Sequence, residues 1–154
     1  LCDRMAAEGV DERGVVFYTN LDSDKGRQLR AHPFAEAVLA WVPLERQIRI
    51  RGGVERVSRD EALAYWATRP RGSQLSAWAS PQSRVLPGRA WLDERFDEAE
   101  SRFAGRDVPL PANWGGFRIV PQRVEFWQGG PDRLHDRMLW WRAGEDWVIE
   151  RLAP

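Results

Sequence analysis

The feature that most constrains the fold is the C-terminal stretch at residues 114–142, WGGFRIVPQRVEFWQGGPDRLHDRMLWWR. It contains two apolar runs, at residues 117–120 and 124–127, that are short and rich in β-branched and aromatic side chains. Each run is therefore predicted to be a strand rather than a helix. The glycine pairs at 115–116 and 129–130 are predicted to be turns. This end of the chain is thus expected to be β-structure.

The sequence RLHDR follows the second glycine pair. If this segment is extended, Arg133, His135 and Arg137 lie on one face and the two intervening residues on the other. Two guanidiniums and an imidazole near Trp127 would then form an anion site with an aromatic wall. Alternatively, Asp136 pairs with either arginine on a solvated, charged strand. Spacing by itself does not decide between these two interpretations.

The composition describes a chain that can bury a core in a single domain over residues 1–154. Hydrophobic side chains make up 43% and charged side chains 30%, a balance typical of folded proteins. The 23 basic and 23 acidic side chains cancel, so there is no electrostatic case for a nucleic-acid or membrane partner. No apolar run approaches the roughly 18–20 residues of a membrane span. The single Cys2 fits a reducing compartment, and a cytoplasmic location is expected.

Along the rest of the chain, both strands and helices are predicted. The predicted strands are residues 15–19, 37–42, 46–57 and 147–152. The predicted helices are residues 25–32, 59–68, 73–80 and 93–103. Ser58 is a good N-cap for the second helix, with Asp60 and Glu61 in its first turn. Because helices interrupt a meander of strands, the fold class is predicted to be mainly β (α+β), an antiparallel barrel with helical insertions.

Two places carry groups suited to binding phosphate. Tyr18 and Thr19 end a predicted strand and Lys25 begins a helix, which together offer hydroxyls, backbone N–H groups and an ammonium. The alternative there is a plain surface loop.

The second place combines Tyr65 and Arg69, four residues apart on one helix face, with Ser73 at the predicted start of the next helix. A phenol, a guanidinium and a hydroxyl suit a phosphate monoester. The alternative is an ordinary helix–turn–helix with a surface arginine.

The motifs WGGFR, VEFWQGG and RLHDR, in this order, resemble the C-terminal signature of the pyridoxine/pyridoxamine 5′-phosphate oxidase family of flavoproteins. Further matches are FYTN at 17–20, LERQ at 44–47, RPRGSQLSAWASPQS at 69–83 and ERLAP at 150–154. The resemblance implies a split β-barrel FMN-binding fold and a homodimer with FMN at the subunit interface. It also implies oxidation of pyridoxamine or pyridoxine 5′-phosphate to pyridoxal 5′-phosphate, with oxygen as acceptor and release of hydrogen peroxide.

The resemblance also implies a role for each matching residue. The implied substrate-binding residues are Tyr65, Arg69, Ser73, Arg133 and His135. Of these, Arg133 and His135 are also the implied catalytic residues, because they hold the substrate over the flavin ring. The implied cofactor-binding residues are Tyr18, Thr19, Lys25, Gln47, Gln82, Ser83, Trp127 and Arg137. The amide of Gln47 can both donate to and accept from the flavin edge, and no metal site is expected.

Two features depart from the family pattern. Asp24 stands where the family has arginine, and either Asp3 or Glu8, depending on the register, stands where it has lysine. Because an acid repels a phosphate, weaker binding of FMN and substrate is expected. The N-terminal segment of the family is also expected to be missing. The alternative functions are a non-catalytic flavin-binding split-barrel protein and a phenazine-pathway oxidase of the same fold.

Overall fold

The structure is a computed structural model that describes residues 9–154. These residues form seven β-strands and four α-helices. The strands are β1 (Gly9–Asp11), β2 (Gly14–Asn20), β3 (Phe34–Trp41), β4 (Arg46–Arg56), β5 (Trp114–Gln128), β6 (Asp136–Ala143) and β7 (Asp146–Arg151). The helices are α1 (Asp24–Ala31), α2 (Arg59–Thr68), α3 (Arg71–Ala79) and α4 (Arg89–Arg102).

The strands hydrogen-bond in the order β1-β2-β5-β4-β3, with β6 paired to β5 and β7 paired to β6. The pairs β3–β4, β5–β6 and β6–β7 are antiparallel. In β5–β6 the register places Trp127 opposite Arg137, so two of the predicted cofactor-binding residues are cross-strand neighbours. No helix in the described part of the chain has the length and apolar composition that a membrane crossing requires.

The described residues divide into two compact units. The helical unit comprises Val16–His32 and Arg56–Phe117, and the strand unit comprises Gly9–Val15, Pro33–Glu55 and Arg118–Pro154. Strands β2 and β5 contribute residues to both. The assignment of residues 1–154 to a single FMN-binding domain stays a prediction.

The helical unit is built on an apolar core that forms where α2, α3 and α4 bury one side each. The buried core residues are Val16, Val57, Ala62, Trp66, Leu75, Ala99, Phe103, Val108, Leu110 and Trp114. The indole N–H of Trp66 donates to the Val108 carbonyl at 2.8 Å, so its buried polar group is satisfied. As predicted, Ser58 caps α2, where its hydroxyl accepts from the Glu61 N–H at 3.0 Å.

The strand unit contains a buried arginine. Arg118 is 1% exposed, and its guanidinium contacts Asp11 at 2.9 Å and Glu55 at 3.4 Å. Partial burial raises the pKa of Asp11, but hydrogen bonds from the backbone N–H groups of Arg13 and Gly14, together with the charge of Arg118, lower this pKa below its ordinary value overall. The Asp11 carboxylate is therefore ionised beside Arg118 at neutral pH.

The predictions of two separate strands at residues 117–120 and 124–127 and of a turn at residues 115–116 are wrong. One strand, β5, runs from Trp114 to Gln128, and the glycines at 115–116 lie inside it. A Cβ on Gly116 would lie 2.7 Å from Cδ1 of Tyr18 and 2.8 Å from Cγ2 of Val57. This glycine is needed because side chains pack against the backbone of the strand, not because the chain turns there.

Two helices begin earlier than predicted. Helix α3 starts at Arg71 rather than at Ser73, since Pro70 takes the N-cap position and proline fits helix starts well. Helix α4 starts at Arg89 rather than at Asp93. The other predicted helices and strands are confirmed within a few residues at each end.

Candidate functional site

A cleft of about 660 Å³ lies in the strand unit. Its walls come from β3, β4, β5, β6 and the turn after β3: Trp41, Leu44, Arg46, Gln47, Ile48, Phe126, Trp127, Gln128, Asp136 and Met138. The volume is that of a typical small-molecule site. Two predicted flavin contacts, Gln47 and Trp127, line the same cleft. Aromatic walls and a side-chain amide suit a flat heteroaromatic ring.

The chain enters the cleft through a tight turn before Gln47. Glu45 has a positive φ of 49°, and its carbonyl accepts from the Gly129 N–H at 2.8 Å. Arg46 then donates from Nε to Oε1 of Gln128 at 2.6 Å. These bonds join the start of β4 to the end of β5. They therefore fix Gln47 relative to the wall that carries Trp127.

Trp41, Phe126 and Met138 also line the cleft, and the sequence did not single them out. Each belongs to an ordinary strand pattern in which an apolar side chain predicts a core position. Their exposure to a cleft depends on how the strands twist and pair, which residue spacing does not reveal.

Arg137 is held by two neighbouring groups of the strand unit. Its Nε and Nη2 both lie 2.9 Å from Oε1 of Glu125. Its Nη1 donates to the backbone carbonyl of Ala153 at 2.9 Å. Glu125 is 4% exposed, so this ion pair is largely shielded from water and is stronger than a surface pair.

Arg49 faces the other oxygen of Glu125 at 3.7 Å. Its Nε and Nη2 donate to Oε1 of Glu36 at 3.0 Å and 2.6 Å. The hydrogen bond to Glu36, aided by the charges of Glu36 and Glu125, raises the pKa of Arg49 above its ordinary value despite partial burial. Arg49 is therefore charged over the whole working pH range.

His135 packs against Trp127, with ring centroids 4.7 Å apart and an angle of 45° between the rings. Its Nδ1 accepts from the backbone N–H of Gly130 at 3.3 Å. In a neutral imidazole whose Nδ1 accepts, the proton resides on Nε2. The contact with Gly130 thus sets which nitrogen of His135 can donate to a ligand.

The prediction that Arg133, His135 and Arg137 alternate on one extended strand is wrong. Pro131–Arg133 forms a short 3₁₀ turn closed by a Leu134 N–H to Pro131 carbonyl bond of 3.0 Å. Asp132 and Arg133 have positive φ angles of 54° and 62°. Strand β6 begins at Asp136. Arg133 is therefore presented by a turn with a costly backbone conformation, a feature that often accompanies functional positions.

In the helical unit, three aromatic rings stack nearly parallel. The Tyr18 ring lies 4.0 Å from that of Tyr65 and 5.4 Å from that of Trp114, with angles of 4° and 3° between the rings. The guanidinium of Arg69 lies 4.8 Å from the Trp114 ring and 5.3 Å from the Trp66 ring. The structure thus brings the predicted substrate residues Tyr65 and Arg69 together with Tyr18, which was predicted as a cofactor contact.

The side chains of Tyr18, Tyr65 and Arg69 all lie against the Trp114 ring. The sequence did not assign Trp114 a role. Its place in WGGFR was part of the family signature, which is the signal that could have marked it. Ser73 lies in the first turn of α3, where its N–H donates to the Pro70 carbonyl at 2.9 Å. That N–H is therefore used within the turn, because α3 begins two residues before the predicted start at Ser73.

Thr19 and Gln82, both predicted cofactor contacts, are joined directly. Oε1 of Gln82 accepts from the Thr19 hydroxyl and from the Asn20 N–H, each at 3.2 Å. Ser83 follows with a positive φ of 68°, in a turn closed by the Arg84 N–H to Pro81 carbonyl bond of 3.1 Å. The end of β2 and this turn therefore form one hydrogen-bonded group.

Lys25 lies in the first turn of α1, with its Nζ 5.9 Å from the centroid of the Phe17 ring. Asp24, the predicted repulsive acid, forms an ion pair with Arg27 on the same helix. This pairing offsets the negative charge of Asp24 and reduces the repulsion that was expected from it. Asp3 and Glu8, the other two acids of that prediction, lie outside the described residues.

Comparison with known proteins gives consistent matches. Two family models match, one described as "Pyridoxamine 5′-phosphate oxidase" over residues 3–103 and one as "Pyridoxine 5′-phosphate oxidase C-terminal dimerisation region" over residues 114–154. A pyridoxine/pyridoxamine 5′-phosphate oxidase of Saccharopolyspora erythraea is 55% identical over 148 residues, which span 96% of this chain and 67% of that protein.

Two solved structures are also similar. PhzG from Burkholderia lata, determined with tetrahydrophenazine-1-carboxylic acid, has a TM-score of 0.91 and 33% identity, covering 97% of this chain and 73% of PhzG. A pyridoxamine 5′-phosphate oxidase-related, FMN-binding protein from Nostoc punctiforme has a TM-score of 0.75 and 19% identity, covering 97% of this chain and 79% of that protein. The predicted fold class, an antiparallel split β-barrel with helical insertions, is confirmed.

Proposed function

The chain belongs to the pyridoxine/pyridoxamine 5′-phosphate oxidase family, and from that membership we propose that it forms pyridoxal 5′-phosphate by oxidising pyridoxine or pyridoxamine 5′-phosphate. Oxygen is the final acceptor. The alcohol and oxygen give the aldehyde and hydrogen peroxide, while the amine also consumes water and releases ammonia. When bound, FMN supplies the two-electron acceptor for the hydride of the substrate carbon, and the protein supplies binding and orientation.

The observation that carries this proposal is the cleft shared by Gln47 and Trp127. The amide of Gln47 can donate to and accept from a heteroaromatic edge, and the indole of Trp127 offers an apolar face. The cleft therefore fits the ring system of FMN in size and in chemistry. Tyr18, Thr19, Lys25, Gln82, Ser83 and Arg137 are proposed as further FMN contacts, as the family resemblance implies.

The aromatic cluster of the helical unit supports a phosphorylated substrate. A guanidinium stacked on an indole has a restricted orientation, as Arg69 has on Trp114. Such a guanidinium is suited to charge-assisted bonds with a phosphate monoester. We propose that Arg69, Tyr65 and Ser73 bind the phosphate of the substrate.

Arg133 and His135 are proposed to bind the pyridine ring and hold its reactive carbon in position. Since Nδ1 of His135 accepts from Gly130, its Nε2–H is the donor toward a substrate oxygen or nitrogen. The positive φ of Arg133 fixes the direction in which its side chain leaves the turn. Orientation of this kind contributes to rate by reducing the entropy lost on reaching the transition state.

A homodimer with FMN at the subunit interface is also proposed. Residues 114–154 match the dimerisation region, and within it Phe126, Trp140 and Ile149 are 43%, 40% and 51% exposed. Exposed apolar side chains, and aromatic ones such as Phe126 and Trp140 above all, are typical of interfaces. Sedimentation with FMN present should show a dimer that carries about one FMN per chain. A monomer that retains tightly bound FMN would contradict the interface.

The activity is tested with the purified chain loaded with FMN. We expect a flavin visible spectrum and, on adding pyridoxine 5′-phosphate in air, equal amounts of aldehyde and hydrogen peroxide. Pyridoxine without the phosphate is the matched control and should react far less well. A flavin spectrum with no product from either phosphorylated substrate would refute the oxidase and leave a non-catalytic flavin-binding protein.

A phenazine-pathway oxidase is the second candidate, because the chain is similar to PhzG. The same measurement of hydrogen peroxide, with a reduced phenazine carboxylic acid as substrate, distinguishes the two. We expect faster turnover of the phosphorylated pyridine, since Tyr65, Arg69 and Ser73 are suited to a phosphate. Faster turnover of the phenazine would favour the second candidate.

A further inference from the structure

Four side chains of alternating charge cross the strand unit: Glu36 on β3, Arg49 on β4, Glu125 on β5 and Arg137 on β6. We call them the charge ladder. The closest contacts along it are 2.6 Å from Glu36 to Arg49, 3.7 Å from Arg49 to Glu125 and 2.9 Å from Glu125 to Arg137. Its four charges sum to zero, so the ladder contributes little net field. The role of the charge ladder therefore depends on how its side chains orient one another.

Glu125 is the most buried member of the charge ladder. Its side chain is 6% exposed, whereas those of Arg137, Arg49 and Glu36 are 26%, 39% and 33% exposed. An ionised carboxylate away from water is costly unless cations and hydrogen bonds compensate it. One oxygen faces Arg137 and the other faces Arg49. Both oxygens are therefore directed by their arginine partners, and the carboxylate has a fixed orientation.

We propose that Glu125 is a positioning residue for the cofactor site, which fixes the guanidinium of Arg137 in the orientation that binds FMN. This inference rests on the proposed function, in which Arg137 contacts FMN. Nε of Arg137 donates to Oε1 of Glu125, Nη2 lies 2.9 Å from the same oxygen as an ion pair, and Nη1 donates to the Ala153 carbonyl. Among the described residues, these two hydrogen bonds leave three of the five guanidinium N–H groups for a ligand.

The expected effect follows from the side-chain entropy of arginine. Without the Glu125 carboxylate, Arg137 loses an ion pair and the full hydrogen bond to Nε, and it would have to be ordered when FMN binds. Ordering one long side chain on binding corresponds to about a three- to tenfold change in affinity. Glu125→Gln keeps the shape, but its amide has one acceptor oxygen and no charge and cannot hold both Arg137 and Arg49, so we expect it to weaken FMN binding by about three- to tenfold.

The test is a double-mutant cycle in FMN affinity, measured on the full chain by quenching of FMN fluorescence. The proteins are the parent, Glu125→Gln, Arg137→Ala and the double variant. If Glu125 acts through Arg137, Glu125→Gln weakens binding in the parent but has no further effect once Arg137 is replaced by alanine. Glu36→Gln is the matched control, because it removes the same charge from the same ladder without touching Arg137, and it should bind FMN like the parent.

Thermal unfolding of each FMN-free protein shows whether the variants are folded. If Glu125→Gln does not fold, Glu125→Asp replaces it in the cycle, since it keeps the charge but shortens the reach to Arg137. Equal losses of affinity in the parent and in the Arg137→Ala variant would overturn the inference, as would an unchanged affinity of the single Glu125 variant. Failure of the parent to bind FMN would instead overturn the proposed function, and the inference with it.

Discussion

The clearest test of how the strand unit is assembled is a pair of neighbouring glycines in β4. A Cβ built on Gly52 would lie 1.8 Å from the carbonyl oxygen of Val120 and 3.0 Å from the backbone N of Gln122, whereas a Cβ on Gly53 meets nothing within 4 Å. Both atoms near Gly52 belong to the backbone of β5 and cannot rotate away. Gly52→Ala and Gly53→Ala are therefore the same chemical change in two different environments.

The magnitude follows from the distances. Ordinary van der Waals contact of a Cβ begins at 3.4 Å, so the Gly52 methyl, at 1.8 Å from the Val120 oxygen, would lie about 1.6 Å too close. Forcing packed backbones apart costs about 1–3 kcal/mol, and each weakened ladder hydrogen bond adds about 0.5–1.5 kcal/mol. We expect Gly52→Ala to lower the free energy of unfolding by about 3 kcal/mol, or about 6–12 °C in Tm.

Gly53→Ala should be neutral or stabilising by about 0.5–1 kcal/mol, because alanine loses less backbone entropy on folding than glycine. The assay is urea unfolding of parent and both variants, followed by tryptophan fluorescence, with the slope of free energy against urea checked for constancy. Because β4 also carries Gln47, Gly52→Ala should weaken FMN binding as well. Equal stability of the two variants would refute the close approach of β4 and β5.

Four further substitutions test the sites and the fold. Arg69→Ala should weaken binding of the phosphorylated substrate by roughly ten- to a hundredfold and FMN binding much less; equal losses in the two titrations would mean a structural role. Arg133→Ala and His135→Ala should lower turnover more than flavin content, as stopped-flow kinetics and absorbance report, and unchanged kinetics would remove both from the site. Asp11, whose pKa is lowered in the folded state, stabilises the fold above its ordinary pKa of 3.8 and loses this effect as the pH falls through the lower folded value. Asp11→Asn should therefore unfold more easily than the parent at pH 7, by a margin that shrinks as the pH falls below 3.8 in urea unfolding experiments, and a margin that did not shrink in acid would contradict the ionic origin.

The local structure of this chain was largely determined by its sequence. Ser58 followed by Asp60 and Glu61 predicted the start of α2, because a hydroxyl cap and acids in the first turn act through the nearest backbone groups. The strand predicted at residues 46–57 likewise corresponds to β4. In each case the deciding interactions lie within a few residues, so a short window of sequence contains the information. The family motifs extended this to the fold class.

Longer-range features were decided by tertiary structure. Gly116 was predicted to lie in a turn. It lies instead within β5, where the side chains of Tyr18 and Val57 pack against it. A glycine has the same local preference in a turn and under a close contact, and sequence spacing does not separate the two. Arg133 was likewise predicted to be extended, but Pro131 and the Leu134 hydrogen bond close a turn instead.

The two site groups show the same division between sequence and tertiary structure. The family resemblance implied Trp127 and Arg137 as cofactor contacts. The motifs do not reveal that the buried carboxylate of Glu125 pairs with Arg137 or that Tyr65 and Arg69 both lie against Trp114. In the sequence Glu125 is an ordinary charged residue of a strand. One of its partners, Arg137, lies twelve residues later on β6, and the other, Arg49, lies much earlier in the sequence on β4. Which oxygen faces which arginine depends on strand register and twist. Register and twist are properties of paired strands, so the positions of these side chains become visible only in the folded structure.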